Sequence, residues 1–214
     1  HCYFGKKIPD SDCNYLLKIN EPPFVPSKNN RDRVSFMDSF PFEYPGHGVG
    51  DFRESAIEIE SKKGNFTVLP VYKSHKIQKG KPELQGLPSF FGKEKECETL
   101  SIILEDSAIG VEVQLNYTIF EELSVIVKSA KITNKSENPI KLKKALSSSI
   151  SLDNEVPFDV ITLHGSWARE REIVRRKSTL GTFSVGSTRG ETSHQEHCFM
   201  ALAAATATQN QGEV

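Results

Sequence analysis

The residues most capable of chemistry are gathered between His164 and Gln195, in the segments HGSWARERE and STRGETSHQ. Trp167 is the chain's one tryptophan; Arg169, Glu170, Arg171 and Glu172 alternate in sign beside it, and Arg189, Ser193, His194 and Gln195 follow in the second segment. Acids clustered beside an aromatic ring suggest glycoside hydrolysis, in which two carboxyl groups flank the scissile bond. Glu170 and Glu172, however, would share one face of an extended strand, too close together to grip a sugar from both sides. They read instead as part of an ion-pair ladder with Arg169 and Arg171. His194 and His197 have the spacing of a metal pair, but no third ligand lies near them in the sequence. A triad built on Ser193 and His194 lacks a nucleophile elbow such as GxSxG. The glycines at 46, 48 and 50, and at 80 and 86, precede no helical pattern, so they mark turns and not a phosphate cradle. No metal and no cofactor is expected.

The elements that must position these side chains are strands. Ile57 and Ile59 alternate with Glu58 and Glu60, Phe66 and Val68 follow a turn at Lys63 and Gly64, and Leu100, Ile102 and Leu104 alternate with Ser101, Ile103 and Glu105. Val111, Val113, Leu115, Tyr117 and Ile119 alternate with Glu112, Gln114, Asn116 and Thr118, the cleanest half-buried strand in the chain. Strands over 123–133 and 140–152 flank NKSENP, whose turn formers suggest a hairpin. Shorter strands are expected at 159–163, 179–187 and 198–205. No window carries a sustained helical stripe with caps. Residues 1–45 are dense in proline, which breaks helices and central strands, yet Phe24, Phe36, Phe40, Phe42 and Tyr44 supply anchors for packing. The expected fold is all-β, a large sandwich of two mainly antiparallel sheets, forming one domain over 1–214.

Composition narrows the partners. The 37% hydrophobic and 26% charged content suits a soluble globular chain, and a net charge of -1 gives nucleic acid or an acidic membrane nothing to hold. No run approaches the roughly 18 apolar residues of a membrane span. Cys2, Cys13, Cys97 and Cys198 are scattered without a CxxC pair, which reads as reduced thiols and a cytoplasmic location. Sequons at Asn65, Asn116 and Asn134 are short patterns, and Asn116 falls inside an expected strand. A chain from His1 to Gly212, Glu213 and Val214 reads as a piece cut from something longer.

Taken together, several stretches resemble the N-terminal domain of glycoside hydrolase family 36 α-galactosidases: YFGKKI, GDFRESA, SHKIQKGKPELQGLPS, ETLSIILEDSAIGVEVQLNYTIFEE, GSWARERE and STRGETSHQ, with GEV at the end. They span nearly the whole chain in the family's order. Ser55 stands where the family usually has Pro, and His197, Cys198 and Phe199 stand where it usually has Asn, Pro and Phe. The resemblance implies a galactose mutarotase-like β-supersandwich, followed in the complete enzyme by a (β/α)8 barrel that holds two catalytic aspartates and by a small β domain. On that reading this segment contains no catalytic residue, is inactive alone, and serves an enzyme that cleaves terminal α-galactosyl residues from melibiose or raffinose with retention.

The resemblance also implies that the proline-rich segment looks across a tetramer interface into a neighbour's galactose pocket. FVPSKNNRDRVSFMD lines up with the family motif there and places Arg33 on its arginine, whose fixed donors suit sugar hydroxyls. Glu21 stands where the family has an aspartate. Asp51 and Arg53 are candidates for the same pocket or for holding the loop after Gly46. Trp167, Arg169, Glu170, Arg171, Arg189 and His194 are then expected to face the barrel or another subunit. The rival readings are a free-standing carbohydrate-binding sandwich and an oligomerisation module.

Overall fold

A computed structural model describes residues 42–48, 54–86, 90–152, 157–189, 192–208 and 210. Nine strands run through them, joined by a 3-10 turn at Glu121–Leu123, and no α-helix occurs among the described residues. All pairings between these strands are antiparallel. The chain divides at Ser151 into two compact units.

The first unit holds β1 (Ile57–Glu60), β2 (Val71–Lys79), β3 (Glu98–Asp106), β4 (Val111–Phe120), β5 (Val125–Asn134) and β6 (Lys141–Ala145). β1 pairs with β6, and β2 to β5 form a four-stranded sheet in chain order. The alternation seen in sequence sets the inner face: Ile57, Ile59, Val111 and Val113 are buried with Tyr44, Val68 and Leu115 in one apolar cluster. Across the solvent side of β1 and β6, Lys141 and Lys143 pair with Glu60, and Lys144 with Glu54 and Glu58. Residues 44–46 bind this pair of strands to the core. The Pro45 carbonyl accepts hydrogen bonds from Ala56 and Ile57, and Tyr44 Oη donates to the Leu146 carbonyl at 2.6 Å. Burial pushes the Tyr44 phenol above its ordinary pKa.

β4 differs from a half-buried strand because its polar face is enclosed as well. Thr99 faces Thr118 and Ser101 faces Asn116 in register, and each pair is joined by a hydrogen bond of 2.8 Å or 2.7 Å. Thr118 is 1% exposed and Asn116 5%. The neighbours satisfy one another across the strands, so burial carries no unpaired polar group. Asn116 is therefore closed to a glycan. At the β3–β4 turn the buried Asp106 accepts backbone hydrogen bonds from Leu69, Ala108 and Ile109, fixing the connection.

Five elements depart from the sequence reading. β2 is an edge strand among the described residues, with Lys73, Lys76 and Lys79 in place of an apolar alternation, the charge pattern that protects an open edge. The NKSENP turn is not a hairpin: β5 pairs with β4 and β6 with β1, so the turn carries the chain from one sheet to the other. The strand expected over 140–152 ends at Ala145. Residues 65–70 and 182–187 are irregular, so the strands expected at Phe66–Val68 and 179–187 do not form.

The second unit is a three-stranded sheet, β8–β7–β9, made of β7 (Phe158–Ser166), β8 (Arg169–Lys177) and β9 (Glu196–Ala204). Arg175 on β8 pairs with Asp159 on β7 at 2.6 Å and donates to the carbonyls of Ala204, Ala205 and Ala207. One guanidinium thus joins all three strands, which its fan of fixed donors permits. The Arg176 guanidinium lies 4.4 Å from the centre of the Phe183 ring and holds the irregular segment after β8.

Candidate functional site

The functional candidates of the second unit meet where β7 turns into β8. Ser166 faces Arg169 across a turn of Trp167 and Ala168, and His164 faces Glu172, so Gly165 alone opposes Glu170 and Arg171. This is a β-bulge, and Arg171 takes a left-handed φ of 64° within it, with Ala168 at 61°. Gly165 is required here by contact. A Cβ on it would lie 2.4 Å from the Arg169 carbonyl oxygen and 3.0 Å from that of His194, while its own N–H donates to Gln195 at 3.1 Å. Backbone from both sides approaches too closely for any side chain.

The bulge overturns the ion-pair ladder. Left-handed Arg171 breaks the alternation that would set Glu170 and Glu172 on one face, and no ion pair forms among Arg169, Glu170, Arg171 and Glu172 in the described residues. Glu170 Oε1 instead accepts the Ala168 N–H at 3.0 Å and steadies the turn.

Behind the turn lies an open cleft of about 360 Å³, lined by Leu163, His164, Glu170, Arg171, Thr192, Ser193, His194 and His197. His164 forms its fixed wall: Nδ1 lies 3.2 Å from Glu196 Oε2, and Nε2 lies 2.8 Å from Thr162 Oγ1. His197 Nδ1 is buried without a hydrogen-bond partner among the described residues. Ser193 Oγ is engaged with the backbone of Glu196, so it is not a nucleophile held by His194. The Trp167 ring, 82% exposed, stands edge-on to His194 with ring centres 6.1 Å apart, the geometry favoured by aromatic pairs. Arg169 is exposed at the start of β8, and the exposed Arg189 donates to Gln195 Oε1 at 3.3 Å.

The structure therefore brings Glu170, Arg171 and His194 together in the cleft, with Trp167 against His194, and leaves Arg169 and Arg189 on the surface. Sequence reasoning missed His164, Thr162 and Glu196 as a hydrogen-bonded set. Only cross-strand register joins them, although His164 and Thr162 at alternate positions of one strand were a signal within reach. Arg33, Glu21, Asp51 and Arg53 lie outside the described residues.

Antiparallel sheets throughout the described residues, with a polar cleft at a strand turn, define an all-β domain. The particular family is fixed by comparison: the glycosyl hydrolase family 36 N-terminal domain matches residues 1–214, and the chain belongs to that family. It is 40% identical over 215 residues to alpha-galactosidase AgaA of Geobacillus stearothermophilus, covering 100% of this chain and 29% of that protein. It is 36% identical over 214 residues to the bifunctional alpha-galactosidase/sucrose kinase AgaSK of Mediterraneibacter gnavus, covering 99% of this chain and 23% of the relative. The crystal structure of the GH36 alpha-galactosidase AgaB from Geobacillus stearothermophilus superposes with a TM-score of 0.85 at 40% identity, over 99% of this chain and 29% of that one. A variant of AgaA in complex with raffinose superposes equally well, at 0.85 and 39% identity, over 99% of this chain and 30% of that one. The chain thus spans less than a third of the length of these relatives.

Proposed function

We propose that this chain is the non-catalytic N-terminal domain of an α-galactosidase that removes terminal α-galactosyl residues from galactosides such as melibiose and raffinose with retention. The observation that carries the proposal is the end-to-end similarity, 40% identity over the whole chain, to alpha-galactosidase AgaA. A second supporting fact is that variants of that relative form complexes with raffinose and with stachyose. In the complete enzyme the domain braces a catalytic barrel and the oligomer, a tetramer, and Arg33, Glu21, Asp51 and Arg53 serve a neighbouring subunit's pocket. The exposed Arg169 and Arg189 are the charged contacts offered to the barrel or another subunit. The free thiols of Cys97 and Cys198 support a reducing, cytoplasmic setting.

The test is to express the complete gene product and follow melibiose by NMR. Release of galactose first as the α-anomer is the expected result, and intact melibiose would overturn the proposal. Replacing Arg33 by Ala in that enzyme should raise KM for melibiose while leaving the tetramer intact, because a guanidinium that contacts substrate contributes binding and not assembly.

A further inference from the structure

We propose that the cleft at the β7–β8 turn binds one hexopyranose ring of a neutral oligosaccharide. Charge selects the ligand class. Glu170 and Arg171 line the same cleft with opposite signs, so an anion would meet the carboxylate and a cation the guanidinium. A neutral polyol satisfies both, since neighbouring hydroxyls donate to a carboxylate while accepting from a guanidinium. No three His, Cys, Asp or Glu side chains of the described residues converge as a metal site requires.

Backbone geometry points the same way. Arg171 holds a left-handed φ of 64° at the bulge, a conformation natural to glycine and one that strains a long side chain. The bulge turns Arg171 and Glu170 into the lining of one cleft, the kind of re-aiming that bulges perform beside functional sites. His197 Nδ1 in the same lining is a buried group with unmet hydrogen-bonding capacity. The wall opposite is rigid, because His164 is held through both ring nitrogens. Trp167, steadied by His194 yet 82% exposed, offers an open indole face on which the C–H face of a pyranose would rest. The volume of about 360 Å³ lies at the small end of ligand pockets, as one ring requires.

The proposal does not depend on α-galactosidase activity, since its readout is binding. Trp167 is the only tryptophan of the chain, so intrinsic fluorescence reports this site directly. The chain is titrated with raffinose, with maltotriose and with sodium phosphate. A saturable change with either sugar at millimolar concentration, and none with phosphate, is expected. Arg171→Gly should relieve the left-handed strain and raise the Tm while weakening the sugar by more than about tenfold, and Glu170→Gln should weaken it similarly. The proposal is overturned if neither sugar saturates, if phosphate alone does, or if Arg171→Gly binds like the parent chain.

Discussion

In the unit that ends at Ser151, Ile57, Ile59, Val68, Val111 and Val113 are each no more than 1% exposed, whereas the buried side chains described from Leu152 onward are Thr162, Ala203 and Ala207. Ile173, Leu180 and Met200 of the second unit remain exposed. The first unit is stabilised by apolar burial, at about 1.5–3 kcal/mol for each enclosed aliphatic side chain. The second relies on strand pairing and on the reach of Arg175 across its three strands. The cleft with its strained arginine thus sits in the unit with less apolar burial. Residues arranged for binding are commonly a poor choice for stability, and here the two demands fall in different parts of the chain.

Four substitutions test this division between the units. Ile57→Ala should be the most damaging, at about 3–4 kcal/mol, because it opens a cavity in a sealed core. Urea unfolding followed by circular dichroism measures it, and a loss below about 1 kcal/mol would show that the first core is not sealed. Gly165→Ala should cost roughly 2–3 kcal/mol by overpacking, as the new methyl meets backbone that cannot swing aside. Faster hydrogen exchange confined to the amides of β7 and β8 would locate that damage.

Arg175→Met comes next, at about 2 kcal/mol, because it strands the Asp159 carboxylate and three carbonyls, with solvent access to the guanidinium limiting the loss. Its effect should appear as exchange at β9, and an unchanged β9 would remove the guanidinium from the account of the second unit. Trp167→Ala should be smallest, within about 0.5 kcal/mol by thermal unfolding, since an exposed turn residue has little packing to lose.

The legible parts of the fold were those governed by local period. β1, β3 and β4 follow from alternating aliphatics, and β5 from the run that pairs beside them. β8 was harder to read as a strand because its side chains are largely charged and exposed, and β2 because its exposed apolar residues Val71, Tyr72 and Ile77 follow no alternation. The partner of β6 was hidden for a different reason: nothing within NKSENP states that β1, far upstream, is the strand to which β6 returns. At the site, the cluster from His164 to Gln195 was visible from residue type. Its bulge was not, because it arises from the close approach of three backbone segments around Gly165. The alternation rule then placed Glu170 and Glu172 on one face where the left-handed Arg171 separates them.

The pairing of Ile57 with Ala145 has a consequence for how the protein is made. At synthesis rates of about 5–20 residues per second, β1 leaves the ribosome on the order of ten seconds before the strand that completes it. β2 to β5 pair with near neighbours and can form in the interval, whereas Ile57 and Ile59 wait with their apolar side chains uncovered. Closing so long a loop is slow relative to the local meander. The nascent chain therefore passes through a stage in which the apolar face of β1 is uncovered, and ribosome-bound chains halted just short of Lys141 are the species a chaperone would meet.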